Sequence, residues 1–298
     1  MNYKSVSQTA QQWGVSERSV RNYCALGKIV GALLDGKTWK IPENATKPAR
    51  KQKSGKISED LTARLKMEKE TAVPGGIYHK IQIEFAYNSN HIEGSRLTFD
   101  QTRYIFETNT IGVQNNTVNV DDVIETSNHF RCVDYIIDLA NYLLSESFIK
   151  QLHMLLKSGT SDSRKAWFAV GDYKRLENEV AGNVTVSPQN VPAEMKQLLK
   201  RYNKSRYKTL SEIIEFHYEF EKIHPFQDGN GRVGRLIMFK ECLRNGITPF
   251  IIEDSIKEFY YRGLKEWKSE PGYLMDTCLT AQDRFKAYMD YFGLMYKD

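Results

Sequence analysis

The chain has 298 residues, of which 41% are hydrophobic, and no apolar run approaches the roughly 20 residues that a membrane span needs. This length predicts two domains, the N-terminus lacks the apolar core of a signal peptide, and the net charge of +5 is modest. Cys24, Cys132, Cys242 and Cys278 have neither CxxC nor zinc-type spacing. We therefore expect reduced thiols and a cytoplasmic protein without a membrane segment.

Positive charge is concentrated at the start of the chain. Residues 1–56 carry a net charge of +8, whereas the remainder carries −3, an asymmetry that indicates nucleic-acid binding. The predicted elements of residues 1–46 are a helix over Ser7–Trp13, a turn over Gly14–Ser16, a helix over Glu17–Leu26, and strands over Lys28–Leu33 and Thr38–Pro42. This order resembles the winged helix-turn-helix of excisionase and MerR-type DNA-binding domains.

The second of these helices would present Arg18, Arg21 and Asn22 to DNA, since arginine and asparagine commonly contact base edges. A helix-turn-helix that makes protein contacts is the alternative. One small module binds DNA weakly, so tight binding would require a homodimer. Residues 47–57 are rich in Lys and Arg and are predicted to be a basic, flexible linker.

Residues 58–298 are predicted to form a mostly α-helical domain. Its first distinctive segment is Ile77–Gly94, in which Ile77, Ile81 and Phe85 form one apolar stripe of a helix that ends at Gly94. Ser89 and Glu93 are four residues apart and therefore share one face of that helix.

A β-hairpin is predicted between the helices of this domain. Helical patterning is lost between residues 166 and 197, where Val180, Val184 and Val186 flank the turn-forming pair Gly182-Asn183. An ordinary surface hairpin would have the same pattern.

The most informative stretch is the twelve-residue sequence His-Pro-Phe-Gln-Asp-Gly-Asn-Gly-Arg-Val-Gly-Arg, which begins at His224. A helix over Thr209–Ile223 precedes it and is ended by Pro225, because a proline forces the residue before it out of the α region. A second helix is predicted from Arg232 to Asn245. The order is therefore helix, loop, helix, with His224 at the mouth of the loop.

The residues of this loop suit a nucleotide polyphosphate with a metal ion. A glycine-rich turn that opens a helix directs backbone N–H groups at one point, which creates an anion site. Arg232 and Arg235 would bind phosphate oxygens, and Asp228 could bind Mg²⁺, which needs few protein carboxylates when phosphates supply the other ligands. His224 is the group that could accept a proton near neutral pH.

This stretch resembles the signature of the Fic (filamentation induced by cAMP) family, His-x-Phe-x-Asp/Glu-Gly-Asn-Gly-Arg-x-x-Arg, at every fixed position. The resemblance covers roughly residues 75–250 and implies the mostly helical Fic fold, with a catalytic core over about residues 120–250 and transfer of AMP from ATP to a protein hydroxyl. The roles it implies are the general base for His224, a core anchor for Phe226, Mg²⁺ binding for Asp228, a phosphate cradle for Gly229, Asn230 and Gly231, the β-phosphate for Arg232 and the γ-phosphate for Arg235.

The resemblance also gives roles to the two upstream segments. Fic proteins carry an inhibitory helix with the pattern Ser/Thr-x-x-x-Glu-Gly/Asn, which Ser89, Glu93 and Gly94 match. Glu93 would pair with Arg235 and occupy the position of the ATP γ-phosphate. The hairpin with Val180, Val184 and Val186 would be the flap that aligns a target protein.

The sequence therefore predicts a self-inhibited protein adenylyltransferase that uses ATP and Mg²⁺, with a protein target that could be the enzyme itself. Two alternatives remain open. The same fold could remove AMP or transfer another nucleotide, or the chain could be a DNA-binding regulator whose helical body senses a nucleotide.

Overall fold

The computed structural model describes residues 2–25, 27–36, 38–48, 60–113, 117–180 and 183–296. These residues belong to two compact units, one within residues 1–57 and the other within residues 58–298. Within the described ranges, no helix is both long enough and apolar enough to cross a membrane. The predicted linker at residues 47–57 lies outside the described residues except for residues 47 and 48.

The N-terminal unit combines two helices with a small sheet. Its elements are β1 (Tyr3–Lys4), α1 (Val6–Trp13), α2 (Glu17–Ala25), β2 (Leu33–Asp35) and β3 (Thr38–Pro42), and the antiparallel strands lie in the order β1-β3-β2. Ser5 and Gln8 form a capping box at the start of α1, and Gly14 ends it with a φ of 63°. Val6, Val20 and Ile41 are buried in the core of this unit.

Two details of this sheet differ from the sequence-based expectation. The strand predicted over Lys28–Leu33 begins at Leu33, because Gly31 has a left-handed φ of 80° and the chain is still turning there. β1 was not predicted at all, since a two-residue strand has no periodic pattern. The predicted end of α2 at Leu26 lies outside the described residues.

The larger unit is helical. Its helices are α3 (Leu61–Thr71), α4 (Ile77–Ile92), α5 (Phe99–Thr108), α6 (Val120–Asp138), α7 (Glu146–Lys157), α8 (Val191–Tyr202), α9 (Leu210–Ile223), α10 (Asn230–Arg244), α11 (Lys257–Glu266) and α12 (Gly272–Tyr291). A short antiparallel hairpin, β4 (Glu179–Val180) and β5 (Asn183–Val184), lies between α7 and α8 in the chain.

Helix α10 is the centre of this unit. It contacts α4, α6, α7 and α9, and its buried residues include Leu236, Ile237 and Phe239 as well as Arg232 and Arg235. Because a charge inside a protein must be paired, each of these arginines requires an acidic or polar partner from a neighbouring helix. The packing of α10 therefore determines which side chains meet at the predicted site.

Helix α10 begins two residues earlier than the sequence predicted, at Asn230 rather than Arg232. Gly229 has a φ of 82° and serves as the residue before the first helical turn, which allows the helix to start directly after it. As a result, Asn230 and Gly231 belong to the first turn of the helix and not to the loop.

Candidate active site

The loop between α9 and α10 presents His224 in a defined orientation. His224 ends α9 with a left-handed φ of 52°, and its Nδ1 donates to the backbone carbonyl of Glu221 at 3.3 Å. Since a carbonyl can only accept, the proton of the neutral ring is on Nδ1 and Nε2 has a free lone pair. Burial lowers the pKa of His224 to about 4, so the ring is neutral at physiological pH and able to accept a proton.

Phe226 and Asn230 hold the loop in place. Phe226 is fully buried and its ring stacks on His153, with centroids 3.9 Å apart and planes at 2°. The amide of Asn230 accepts from the backbone N–H of Phe226 and donates to its carbonyl, both at 2.9 Å. The side chain of Asn230 thus braces the loop, and a contribution of Asn230 to a phosphate cradle would have to come from its backbone N–H.

His153 on α7 supports the loop, although it belongs to no motif in the sequence. Its Nδ1 accepts from the backbone N–H of Gly171 at 2.9 Å, so Nε2 carries the proton and donates to the carbonyl of Asp228 at 3.1 Å. Burial lowers the pKa of His153 to about 3. A neutral imidazole therefore links α7 to the loop.

The start of α10 is suited to an anion. Gly229 has no side chain, and no side-chain hydrogen bond caps this helix end. The first N–H groups of the helix then remain directed outwards, with the positive end of the helix dipole behind them.

Arg235 is held by the helix that carries the predicted inhibitory motif. Its Nε donates to the Ser89 hydroxyl at 3.1 Å, and its Nη2 donates to the Ser89 carbonyl at 2.9 Å and to the Glu93 carboxylate at 2.8 Å. Burial disfavours the charge of Arg235, but Glu93 outweighs this and raises the pKa of the guanidinium further. The contact that the resemblance implied between Glu93 and Arg235 is present.

Glycines allow this contact to form. A Cβ at Gly231 would lie 2.3 Å from Oε1 of Glu93, so any larger residue at this position would collide with the carboxylate. Gly94 follows the helix with a φ of 97°, a conformation that favours glycine. The Ser89, Glu93 and Gly94 positions therefore each have a structural reason for their residue type.

Arg232 has different partners. It donates through Nη1 to Glu125 of α6 and through Nη2 to Asp228 at 3.3 Å. Lys157, at the end of α7, donates to Glu125 and, at 2.6 Å, to Asp228. We refer to Glu125, Lys157, Asp228 and Arg232 as the charge ring. Glu125 and Lys157 were missed from the sequence, because a single Glu and a single Lys on two separate helices give no motif.

Asp228 fits the role of a single protein ligand for Mg²⁺. Burial would raise the pKa of its carboxyl, but Arg232 and Lys157 outweigh it and hold the pKa far below its ordinary value. Its side chain is 45% exposed. Within the described part of the chain, no cluster of three or more His, Cys, Asp or Glu could hold a metal, so a bound ion would need phosphate oxygens and water as its other ligands.

Glu221 is a second acidic residue beside His224 that the sequence analysis did not select. Its carboxylate lies 3.8 Å from Nδ1 of His224, and its Oε1 is buried without a hydrogen-bond partner. Burial, together with the nearby Glu93, raises the pKa of Glu221 to about 8. The position three residues before His224 on the same helix was a signal that could have identified it.

The predicted flap is attached to the loop through its base. Lys174 donates its backbone N–H to the Pro225 carbonyl at 2.9 Å, and the Asn178 amide donates to the Phe226 carbonyl at 3.1 Å. Val180 ends β4, and Val184 ends β5 and is 72% exposed. Val186 lies beyond β5 and packs against the main core, so it is not part of the hairpin strands.

In the N-terminal unit, Arg18, Arg21 and Asn22 all lie on the exposed side of α2. Arg21 forms a 2.8 Å ion pair with Glu17 one turn earlier. Val20, between them, is fully buried. The helix therefore has the two faces that the sequence predicted, and DNA binding by its outer face stays a prediction.

Comparison with known proteins agrees with this geometry. Residues 143–242, which include the loop and the start of α10, match the model of the Fic/DOC family. The chain contains a Fic/DOC domain. The match begins before α7 and ends within α10, so α4 and the N-terminal unit lie outside it.

Relatives of the Fic/DOC domain include proteins named protein adenylyltransferase Fic. The one from Drosophila erecta is 28% identical over 187 residues, which are 60% of this chain and 36% of the relative. The one from Drosophila persimilis is 29% identical over 188 residues, which are 60% of this chain and 35% of the relative. The chain thus spans about a third of the length of these curated relatives.

Solved structures share the fold. A Fic domain containing signaling protein from Bacteroides thetaiotaomicron is 27% identical with a TM-score of 0.57, and the match covers 77% of this chain and 90% of that one. Fic-1 from C. elegans is 18% identical with a TM-score of 0.62, covering 78% of this chain and 71% of that one. The mostly helical architecture expected from the resemblance is confirmed.

Proposed function

We propose that this protein transfers AMP from ATP to a hydroxyl group of a protein target and that Glu93 restrains the reaction. The observation that carries the proposal is the convergence of a neutral His224, an ionised Asp228 and two buried arginines around one uncapped helix start. The relatives named protein adenylyltransferase Fic support the same reaction.

Each residue of the loop would have a defined part in this reaction. His224 would accept the proton of the target hydroxyl at Nε2, while the Glu221 carbonyl holds the ring in the required tautomer. The target oxygen would then attack the α-phosphorus, and pyrophosphate would leave. Arg232 and the N–H groups at the start of α10 would hold the phosphates in line for the attack. Mg²⁺ on Asp228 would supply further neutralisation of the phosphate charge.

Glu93 would act as a brake because it occupies the guanidinium that should bind the γ-phosphate. Its carboxylate lies 2.8 Å from Arg235, and the side chain is 27% exposed, so it borders on the open side of the site. A γ-phosphate in this position would meet both an occupied arginine and a like charge. ATP would then bind without the orientation that the attack requires.

Intact-mass spectrometry after incubation with ATP and Mg²⁺ tests the proposal. We expect AMP adducts on the Glu93→Gly variant and none on Glu93→Gly/His224→Ala, because loss of the base costs on the order of 10²–10⁴-fold in rate. Added cell extract supplies targets other than the protein itself. If Glu93→Gly binds ATP but gives no adduct on any protein, AMP transfer is excluded; loss of AMP from a pre-modified protein would then favour the removal reaction.

A second candidate function concerns the N-terminal unit. We propose that it binds DNA, on the basis of the +8 charge of residues 1–56 and the exposed Arg18, Arg21 and Asn22 on α2. Fluorescence anisotropy with duplex DNA at several salt concentrations tests this. Affinity should fall steeply with salt and weaken in Arg18→Ala/Arg21→Ala; DNA binding that is unchanged in this variant would exclude α2 as the contact.

A further inference from the structure

The charge ring is closed and electrically balanced. Glu125 accepts from both Lys157 and Arg232, and Asp228 also accepts from both. The two carboxylates and two cations of the ring cancel in charge. Asp162 also lies 3.6 Å from the Lys157 ammonium, but it has its own cation in Lys165 at 2.6 Å. The side chains of Lys157, Arg232 and Glu125 are 2%, 4% and 14% exposed, so water screens these interactions weakly.

Asp228 is the member through which the ring meets solvent, since its side chain is 45% exposed. The Lys157 ammonium lies 2.6 Å from its Oδ2. A cation thus already occupies one side of the carboxylate that would bind the metal. Lys157 comes from α7, outside the twelve-residue loop motif.

We propose that Lys157 is a further nucleotide-binding residue, which neutralises Asp228 before nucleotide binds and supplies positive charge to the α- and β-phosphates afterwards. This inference rests on the proposed function, because it takes Asp228 and Arg232 as the residues that face metal and phosphate. Glu125 balances the two cations, since its carboxylate accepts from both Lys157 and Arg232.

The balance of charges predicts that replacing Lys157 by an uncharged residue changes the affinities for a divalent cation and for a diphosphate in opposite directions. Without the Lys157 ammonium, Arg232 alone would face two carboxylates, and the ring would carry a net negative charge. A divalent cation would then bind more tightly and a diphosphate more weakly. A residue that only supported the fold would weaken both ligands together.

Glu125→Gln should change both affinities in the directions opposite to those expected for the loss of Lys157. The two cations would then face Asp228 alone, so the ring would be net positive. ADP should bind more tightly and a divalent cation more weakly. Lys157→Met and Glu125→Gln each keep a side-chain volume similar to that of the residue replaced. Because they change the net charge of the ring in opposite directions, they test the same inference independently.

The experiment titrates the full chain with Mn²⁺ alone, followed by electron paramagnetic resonance, and with ADP alone, followed by calorimetry. ADP lacks the γ-phosphate, so the Glu93–Arg235 contact does not enter. For Lys157→Met we expect Mn²⁺ to bind about tenfold more tightly and ADP to bind about tenfold more weakly, since loss of one member of a buried charge pair has effects of this size or larger. Glu125→Gln should show the reverse.

Lys240→Met is the matched control. Lys240 is also buried and forms a 2.6 Å ion pair with Glu241, but it lies outside the charge ring. Its loss should leave both affinities within twofold of wild type. Lys157→Arg should restore ADP binding, because it keeps the positive charge.

The inference would be overturned if folded Lys157→Met changed the affinities for Mn²⁺ and ADP in the same direction, or changed neither. If Lys157→Met does not fold, the two opposite shifts in Glu125→Gln decide it in the same way. Wild type that fails to bind ADP would overturn both the inference and the proposed function. Wild type that binds ADP, with variants that do not differ, would overturn the inference alone.

Discussion

Arg232 and Arg235 lie on the same turn of α10 and are both buried, yet they are held in different ways. Arg235 has one acidic partner, Glu93, from a helix 142 positions earlier in the chain. Arg232 belongs to a ring with a second cation and two carboxylates. Moving the Glu93 carboxylate alone would remove the ion pair of Arg235 and leave its two hydrogen bonds to Ser89 in place, whereas removing one member of the ring changes the pairing of all the others.

This difference indicates a division of labour within one site. Under the proposed function, the Glu93–Arg235 contact would be one that a ligand or a movement of α4 could replace, which suits regulation. On the Arg232 side, the charges balance and two carboxylates fix the guanidinium, although its buried Nε has no hydrogen-bond partner. Such a preorganised group suits binding that must be ready before the nucleotide arrives. Under the proposed function, two arginines on one helix would thus serve two purposes according to their partners.

The largest expected difference between the two arginines is in how much their acidic and basic neighbours stabilise the fold. Lys157→Met should lower the free energy of unfolding by about 3 kcal/mol, because it removes a buried cation from the largely buried Glu125 carboxylate. Glu93→Gly should cost about 1 kcal/mol, since its carboxylate is partly solvated. Urea unfolding followed by far-ultraviolet circular dichroism measures both, with Lys240→Met as a reference for losing a buried ion pair. Equal losses in Lys157→Met and Glu93→Gly would remove the distinction between the two sides.

The next largest expected effect is on the preference of the site for ATP over ADP. Glu93→Gly should tighten the binding of ATP in the productive pose by roughly 5–150-fold, the range of couplings of about 1–3 kcal/mol, because the γ-phosphate gains Arg235. The affinity for ADP should stay nearly unchanged, since ADP does not reach Arg235. Calorimetry with ATP and ADP in the His224→Ala background, which prevents turnover, measures this. Equal tightening of ATP and ADP would show that Glu93 restrains the Arg232 side as well.

The last expected effect concerns the pH dependence of stability and Glu221, whose carboxyl interacts with the charge of Arg235. The pKa of Glu221 is raised by burial to about 8 from an ordinary 4.5. Its neutral form therefore stabilises the fold fully below pH 4.5, and this contribution is lost as pH rises towards 8. Glu221→Gln should remove this loss, so its free energy of unfolding relative to wild type should rise between pH 5 and pH 8.5.

Thermal unfolding at the two pH values measures this gain, and Glu215→Gln, an exposed carboxylate on the same helix, is the control. A gain that is identical at both pH values would mean that Glu221 is not neutral in the folded protein. A gain in stability that appears only at the higher pH would show that Glu221, beside Arg235, titrates in this range. The charge ring should contribute no such pH dependence, because its members keep their charges throughout.

Much of the local structure followed from the sequence. Pro225 predicted the end of α9, and the spacing of Ser89 and Glu93 predicted that both side chains point the same way, as their shared contact with Arg235 shows. These features depend on residues close together in the chain, where backbone sterics and helical periodicity act directly. The start of α10 was misplaced by two residues because the cap conformation of Gly229 is not visible in a pattern.

By itself, the sequence determined the residues of the loop and the residue that could reach Arg235, since a motif of fixed spacing carries both. Only the tertiary structure decided that Glu125 and Lys157 join the site, from positions 107 residues before Arg232 and 71 residues before Asp228. The physical reason is that burial, not spacing, selects the partners of a charge. A buried guanidinium must be compensated by whichever carboxylate the packing of α6 and α7 brings within reach, and that choice is made through space.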